Sequence, residues 1–316
     1  MKRAKKMGRG LEDFSHLFLS SKSEKNEPPA GSKQKAVCEV KSAATPARVI
    51  CIAGDKKVAE RAFITANLAL EFANQGKRVV VVDADFSLPR LCMLMGVPSP
   101  NSLLHYISGK GEEDITAEGV DGVKLITLDA DITDLRFLKE SERSSLMRYF
   151  RSAEEEAEII LVTVSSSFIH HMRTIFKASN ELVVITPQPL AEMIDAYAVI
   201  KTIFQANKSA RVGILSSRIV ASDQADAVFE KMQRIVKKFL DKPLYNYGYI
   251  SEDREISLSM ARREPLLKTS PYSQAVKCIA EISHSILKVD GNGNGEHPVD
   301  RRNFSFTERL FNKSTV

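Results

Sequence analysis

The chain has 316 residues, 43% of them apolar and 27% charged, which is the composition of an ordinary globular protein and excludes wholesale disorder or a fibre. No run approaches the roughly 18 consecutive apolar residues that a membrane-spanning helix requires. The basic start MKRAKKMGRG leads straight into Glu12 and Asp13, without an apolar stretch or a small-residue cleavage site. We therefore expect no secretion signal and a cytoplasmic location.

The distribution of charge and the spacing of the cysteines bear on nucleic-acid and metal binding. Residues 1–46 hold ten Lys and Arg against five Asp and Glu, which accounts for the whole net charge of +5. The remainder is neutral, so the sequence indicates a basic arm and no specific nucleic-acid partner. The four cysteines form no C-x-x-C pair, so we expect no structural metal.

The first 47 residues contain two predicted segments. Residues 1–20 form a basic segment with a short amphipathic helix, whose apolar residues recur at spacings of three and four: Leu11, Phe14, Leu17 and Phe18. Residues 21–47 are rich in Ser, Lys, Pro and Ala without periodicity, which is typical of a flexible linker. The helix either packs on the protein's own core or, because the linker gives it reach, docks on a protein partner.

From residue 48 to residue 288, short apolar runs alternate with helical patterns. The runs are those of strands buried on both faces of a parallel sheet: Val49–Ala53, Val79–Val82, Ile159–Val164, Leu182–Thr186 and Val212–Leu215. An amphipathic helix with a basic outer face is predicted from Ala225 to Phe239. The alternation predicts a mostly parallel, helix-covered α/β sheet.

The loop after the first predicted strand lies where a phosphate-binding P-loop would be. Such a loop uses glycines, a Lys and a Ser or Thr to hold phosphate and Mg²⁺ at the start of a helix. Of those glycines only Gly54 is present. The loop is a degenerate nucleotide loop, with these residues: Gly54, Asp55, Lys56, Lys57, Glu60, Arg61 and Ala62.

Several segments carry a resemblance to a known family. The chain resembles the MinD/ParA family of deviant P-loop ATPases, in particular its FlhG-like subfamily of flagellar-number regulators, over these segments: Thr65–Ala69, Arg78–Val97, Asn180–Lys201 and Ala225–Val276. The resemblance covers about 48–287 and implies the P-loop NTPase fold. It also implies ATP and Mg as cofactors if the loop retains binding, and a possible homodimer bridged by a Lys near Lys56 and Lys57.

Carried over by position, the resemblance predicts a lost active site. Counted back from Asn67, the family's P-loop Lys falls on Arg61, its Mg²⁺-binding hydroxyl on Ala62 and the preceding Gly on Glu60. The Walker B Asp falls on Val162. These losses remove most of the electrostatic stabilisation that phosphoryl transfer needs, so we expect a pseudo-ATPase with no bound cofactor.

Two further positions match the family, and a third is replaced. Asp83 and Asp85 correspond to its Asp-x-Asp switch, in which the second Asp orients the attacking water; the alternative is that they only cap the following helix. We interpret them as vestigial. The family's adenine-contacting Asn falls on Ser216 or Ser217.

The chain ends in a second predicted linker, 289–302, and an amphipathic helix, 303–316. Its apolar arc holds four large side chains: Phe304, Phe306, Leu310 and Phe311. Such a helix is suited to the membrane interface, and MinD-type proteins end similarly, so we expect attachment to the anionic inner face of the cell membrane. The alternative is docking into a groove on the core or on a partner.

Together these features predict a regulatory or scaffolding pseudo-ATPase that helps place or regulate a polar structure, with the flagellum as first choice. One alternative is an active ATP-binding switch of the MinD/ParA type with an atypical P-loop. A second is a regulator related to the capsule or exopolysaccharide kinases of the same superfamily. A DNA-surface binder that uses the basic helix from Ala225 is disfavoured by the neutral body.

Overall fold

The computed structural model describes residues 46–54, 58–85, 90–97, 116–128, 138–165, 173–188, 190–288 and 305–311. The predicted N-terminal helix with Leu11, Phe14, Leu17 and Phe18, the loop residues Asp55, Lys56 and Lys57, and Phe304 lie outside these ranges. The same holds for the linker 289–302 and for all but the last two residues of the linker 21–47. Predictions about these residues therefore stay predictions.

The described residues form a sheet of eight strands in the order β3-β4-β2-β5-β1-β6-β7-β8. Every neighbouring pair is parallel except β3 with β4. The strands are β1 Arg48–Gly54, β2 Val79–Ala84, β3 Thr116–Glu118, β4 Lys124–Thr127, β5 Ile159–Ser165, β6 Glu181–Pro187, β7 Arg211–Ile219 and β8 Tyr245–Ser251. The mostly parallel, helix-covered sheet is confirmed; β3, β4 and β8 were not among the predicted strands.

Ten α-helices and a short 3-10 helix, Val120–Gly122, accompany the sheet within the described ranges. The α-helices are α1 Val58–Asn74, α2 Arg90–Leu94, α3 Glu140–Glu156, α4 Arg173–Ala178, α5 Leu190–Ala206, α6 Ser222–Leu240, α7 Arg254–Arg262, α8 Leu266–Thr269, α9 Gln274–Lys288 and α10 Phe306–Phe311. The predicted amphipathic helix from Ala225 is α6. None of the helices in these ranges is long and apolar enough to cross a membrane.

The sheet separates two apolar cores, and the strand alternation assigns each side chain to one of them. In β5, Ile160 and Val162 point into the core covered by α3 to α6 and α10. Ile159 and Leu161 point into the other core, which is covered by α1, α8 and α9. Since neighbouring residues of a strand face opposite sides, the next residue, Thr163, faces the side of α1.

The C-terminal helix α10 is docked on the body. Phe306 and Phe311 are buried, with ring centroids 6.3 Å and 5.7 Å from that of Phe150 in α3. The Glu154 carboxylate accepts hydrogen bonds from the backbone N–H of Phe306 and of Thr307, at 2.8 and 3.1 Å. A carboxylate at this position satisfies free N–H groups and the positive end of the helix. The structure thus shows the alternative of docking on the core, not a free amphipathic helix.

Candidate functional site

The carboxyl ends of the central parallel strands bring the predicted switch residues together. Gly54 ends β1 opposite Ser165 of β5, and Asp83 of β2 lies opposite Thr163 of β5. The loop that follows Gly54 leads to the first turn of α1, which contains Glu60 and lies over this edge of the sheet. This is the edge at which open parallel sheets bind their ligands.

Arg61 and Asp85 form a buried ion pair at this edge. The Arg61 guanidinium donates to the Asp85 carboxylate, and the two side chains are 1% and 4% exposed. Arg61 lies where the family's P-loop Lys is expected, and Asp85 where the water-orienting Asp is expected. The two groups that would contact a triphosphate and the attacking water therefore contact each other.

The neighbouring positions do not supply the missing groups. Ala62 is buried in the core on the α1 side, so it adds a methyl group to the packing where a metal-binding hydroxyl would be. Glu60 is half-buried, and its carboxylate lies 3.7 Å from the guanidinium of Arg218, which also pairs with Glu192 of α5. Arg218 has a left-handed backbone (φ 57°), which is uncommon for a residue other than glycine.

Val162, the position assigned to the lost Walker B Asp, lies on the side of the sheet away from α1. It is fully buried in the core there. Thr163, one residue later, faces the side of α1, and its hydroxyl has no hydrogen-bond partner among the described residues. Neither residue supplies a carboxylate to this edge.

The strand alternation also decides between the two serines. Leu215 belongs to the core on the α1 side and Ile214 to the other core. Continuing the alternation along β7, Ser217 faces the α1 side and Ser216 faces away. Both hydroxyls are buried without a hydrogen-bond partner in the described part of the chain. Of the two positions to which the resemblance assigns the adenine-contacting Asn, only Ser217 therefore lies on the side of α1.

Asp83 is a buried carboxyl beside the ion pair. Its Oδ1 accepts a hydrogen bond from the N–H of Asp85 at 3.0 Å. Burial raises the pKa of Asp83 to about 7; the Asp85 charge adds to this, while the hydrogen bond and Arg61 oppose it. Since the folded-state pKa exceeds the ordinary value of 3.8, the stability contribution of this group is lost as the pH rises from about 4 to about 7.

We expect Asp83→Asn to become more stable than the unmodified protein as the pH rises. Asn can still accept the hydrogen bond from Asp85 but cannot ionise, so it avoids the cost of a buried negative charge. Urea unfolding at several pH values should show little difference near pH 4 and a gain of about 1.4 kcal/mol or more above pH 7, the equivalent of one pKa unit. A difference that does not change with pH would contradict this role of Asp83.

The residues that the structure describes at this edge do not fit Mg·ATP. The cation at the P-loop Lys position is neutralised by a protein carboxylate, the metal-binding hydroxyl is replaced by Ala62, and Glu60 adds a negative charge to the first turn of α1. Among the described residues there is also no group of three His, Cys, Asp or Glu side chains that could hold a metal ion.

A cavity of about 540 Å³ lies beside this edge. It opens between α1 and the β8–α7 connection, with Phe63, Ile64 and Ile250 among its apolar walls and Arg90, Arg218 and Asp253 among its charged ones. Sequence reasoning missed this cavity, because it is formed by segments that are almost 200 residues apart in the chain.

Comparisons with known proteins identify relatives in sequence and in fold. The chain matches no protein-family profile. It is 23% identical to the antiactivator FleN of Pseudomonas aeruginosa over 81% of this chain and 93% of FleN. It is 24% identical to the flagellum site-determining protein YlxH of Helicobacter pylori, over 77% of this chain and 83% of YlxH. The MinC:MinD cell division complex of Aquifex aeolicus has a chain with a TM-score of 0.60 and 20% identity, covering 77% of this chain and 96% of that one.

The sheet order and the helices on both faces are those of the P-loop NTPase class of fold. Within that class, the chain is similar to FlhG-like members of the MinD/ParA family.

Proposed function

We propose that this protein is a MinD/FlhG-like regulatory or scaffolding protein in which a fixed internal ion pair has replaced the nucleotide switch. The buried pair of Arg61 and Asp85 carries the proposal. A switch of this family changes state when a triphosphate arrives or is hydrolysed. In this chain the cation and the carboxylate at those positions already satisfy each other.

A triphosphate would bind at a large electrostatic cost. It would have to separate a buried ion pair, and breaking such a pair costs several kcal/mol, about 3–5 when one partner is removed. The freed Asp85 and the nearby Glu60 would then repel the phosphate oxygens, with no Lys at the position of Arg61 and no hydroxyl at that of Ala62 to compensate. The proposal therefore includes neither ATP hydrolysis nor a required cofactor.

The names of the relatives support a regulatory process. FleN is called an antiactivator and YlxH a flagellum site-determining protein. We infer that this chain likewise regulates the number or position of a polar structure, with the flagellum as first choice. Its partners would be proteins, one of them bound by the N-terminal segment with Leu11, Phe14, Leu17 and Phe18, and a second copy of the chain remains a possible partner.

Nucleotide binding and turnover test this proposal. Millimolar Mg·ATP should leave the melting temperature of the full-length protein unchanged, because a ligand raises it only by binding the folded state. Phosphate release should equal that of buffer. A higher melting temperature together with turnover that disappears in Asp85→Ala would show that the protein is a working ATPase.

One observation favours ATP binding without turnover as a second candidate. The cavity beside α1 is large enough for a small molecule, and Ser217 faces that side of the sheet. This candidate predicts a rise in melting temperature with Mg·ATP but no phosphate release. The same titration therefore separates it from the pseudo-ATPase.

We further propose that the protein is cytoplasmic and binds the inner face of the cell membrane through its C-terminal helix. Phe306, Leu310 and Phe311 are at most 4% exposed in the docked helix, so they cannot enter a bilayer while they remain there. Membrane binding thus requires α10 to leave the body. Glu154 opposes that step, since it holds the first turn of the helix.

We expect Glu154→Ala to increase binding to anionic liposomes by several-fold. The substitution removes acceptors for the N–H groups of Phe306 and Thr307, a capping loss of about 1 kcal/mol, and leaves the apolar face of the helix unchanged. Co-sedimentation with full-length protein measures the change. Glu155→Ala, at the next position of α3, is the matched control.

A chain that ends at Val289 completes the liposome experiment. If the full-length protein, the Glu154→Ala variant and this shortened chain all pellet equally, the C-terminal helix does not bind the membrane.

A further inference from the structure

Three exposed or half-exposed apolar side chains lie on the outer surfaces of α5 and α6, which pack together. Phe239, in the last turn of α6, is 64% exposed, and its ring lies edge-on to that of Tyr197 in α5, with 6.4 Å between centroids. Ile194 is 62% exposed and precedes Tyr197 by three residues, so the two lie on one stripe of α5. Single exposed apolar residues are ordinary, but a contiguous group on two helices indicates a binding surface.

Lysines surround this apolar group. The Nζ atom of Lys238 lies 5.4 Å from the centre of the Phe239 ring. Lys231 is two turns earlier on the same side of α6, and Lys201 follows Tyr197 by one turn of α5. All three are exposed, and none of them forms an ion pair with any residue in the described ranges. Lys237, by contrast, is paired with Asp241 at 2.6 Å.

We propose that this surface docks an acidic amphipathic helix of a protein partner. The surface is Ile194, Tyr197, Lys201, Lys231, Lys238 and Phe239. Apolar residues spaced along one face of a helix would cover the two rings and Ile194, as in other helix-in-groove complexes. Carboxylates that flank those residues would pair with the three lysines, which gives the complex its specificity.

The charges on α6 favour a peptide over a nucleic acid. The outer face of this helix also carries Asp223, Asp226 and Glu230, which a phosphate backbone would have to approach. Lys231 and Lys238 instead lie on the flank nearest Ile235, the same flank from which Phe239 reaches α5. A short acidic helix can contact this flank and avoid the acidic residues.

The inference does not depend on the phosphate loop. Phe239 lies in the last turn of α6, near the start of β8 and at the end of the strands opposite to Arg61 and Asp85. Docking at this surface is therefore expected whether or not the protein binds a nucleotide, and a failure here leaves the proposed function untouched.

A pair of labelled peptides tests the surface on the full-length protein. One is a 16-residue helix with Leu on one face and Glu on both sides of it, and the other has Lys in place of every Glu. Fluorescence anisotropy should give the Glu peptide a Kd at least about tenfold lower than that of the Lys peptide. Phe239→Ala and Lys238→Ala should each weaken the Glu peptide several-fold.

Lys237→Ala is the matched control, because it removes the neighbouring lysine, which is already paired with Asp241. It should leave the affinity unchanged. Equal affinity for both peptides, no binding of the Glu peptide, or equal weakening by Lys237→Ala and Lys238→Ala would each overturn the proposal. So would a duplex DNA that binds with dependence on Lys238 and displaces the Glu peptide. Because Lys238 is exposed, Lys238→Ala should not affect folding. It therefore measures the contribution of this surface to peptide binding even if Phe239→Ala destabilises the protein.

Discussion

Replacing Arg61 with Met should lower the free energy of unfolding by about 3–5 kcal/mol, because Asp85 would lose the guanidinium that neutralises it in a buried place. Met keeps most of the side-chain volume, so the loss of charge dominates over the loss of packing. Urea unfolding at neutral pH, followed by circular dichroism, measures the change.

An exposed ion pair provides the control for this substitution. Lys124 and Glu156 lie 2.5 Å apart, but their side chains are 46% and 54% exposed. Lys124→Met should therefore cost no more than about 1 kcal/mol. The double variant Arg61→Met with Asp85→Leu should regain much of the lost stability, since it removes both charges of the buried pair. If Arg61→Met costs no more than Lys124→Met, the pair does not hold this edge together.

Replacing Arg48 with Met should have an effect of similar size at the opposite edge of the sheet. Arg48 donates to the Glu181 carboxylate and to the carbonyl of Ile286, both at 2.5 Å, and Arg48 and Glu181 are 2% and 0% exposed. We expect a loss of about 3–5 kcal/mol, because Glu181 would lose its cation in the core. This pair joins β1, β6 and α9, so the loss should appear in global unfolding.

Urea unfolding against Lys77→Met checks the prediction for Arg48. Lys77 pairs with Glu158 at 3.3 Å with both side chains more than a third exposed, so its removal should have little effect. A loss below about 1 kcal/mol for Arg48→Met would mean that solvent or other groups replace the pair.

The sequence was sufficient to predict the sheet because its strands are buried on both faces. Runs such as Val79–Val82 and Ile159–Val164 are apolar without alternation, which is typical of parallel strands covered by helices. The structure extends these strands by one or two residues. The short antiparallel β3 was missed because its three residues, TAE, carry no such pattern.

The side of the sheet on which a residue lies could not be read as reliably. A shift of one residue moves a side chain to the opposite face. The continuous apolar run Ile159–Val164 does not indicate which of its residues face α1. The two cores place Val162 on the side away from α1 and Leu161 on the side of α1.

Contacts between residues that are distant in the chain could not be predicted from the sequence either. Arg61 and Asp85 were recognised separately, as a substituted Lys and a retained Asp, but their pairing depends on where β2 ends relative to α1. The apolar arc of α10 suits a lipid surface and a protein groove equally well. The residue that holds it in the groove, Glu154, lies 152 residues before Phe306.

The most direct test of the internal ion pair is a crystal structure of the full-length protein grown with a non-hydrolysable ATP analogue and magnesium. We predict that the guanidinium of Arg61 still contacts Asp85 and that no triphosphate lies between Gly54 and the start of α1. A triphosphate bound there, with Arg61 turned from Asp85 toward its phosphates, would contradict the account.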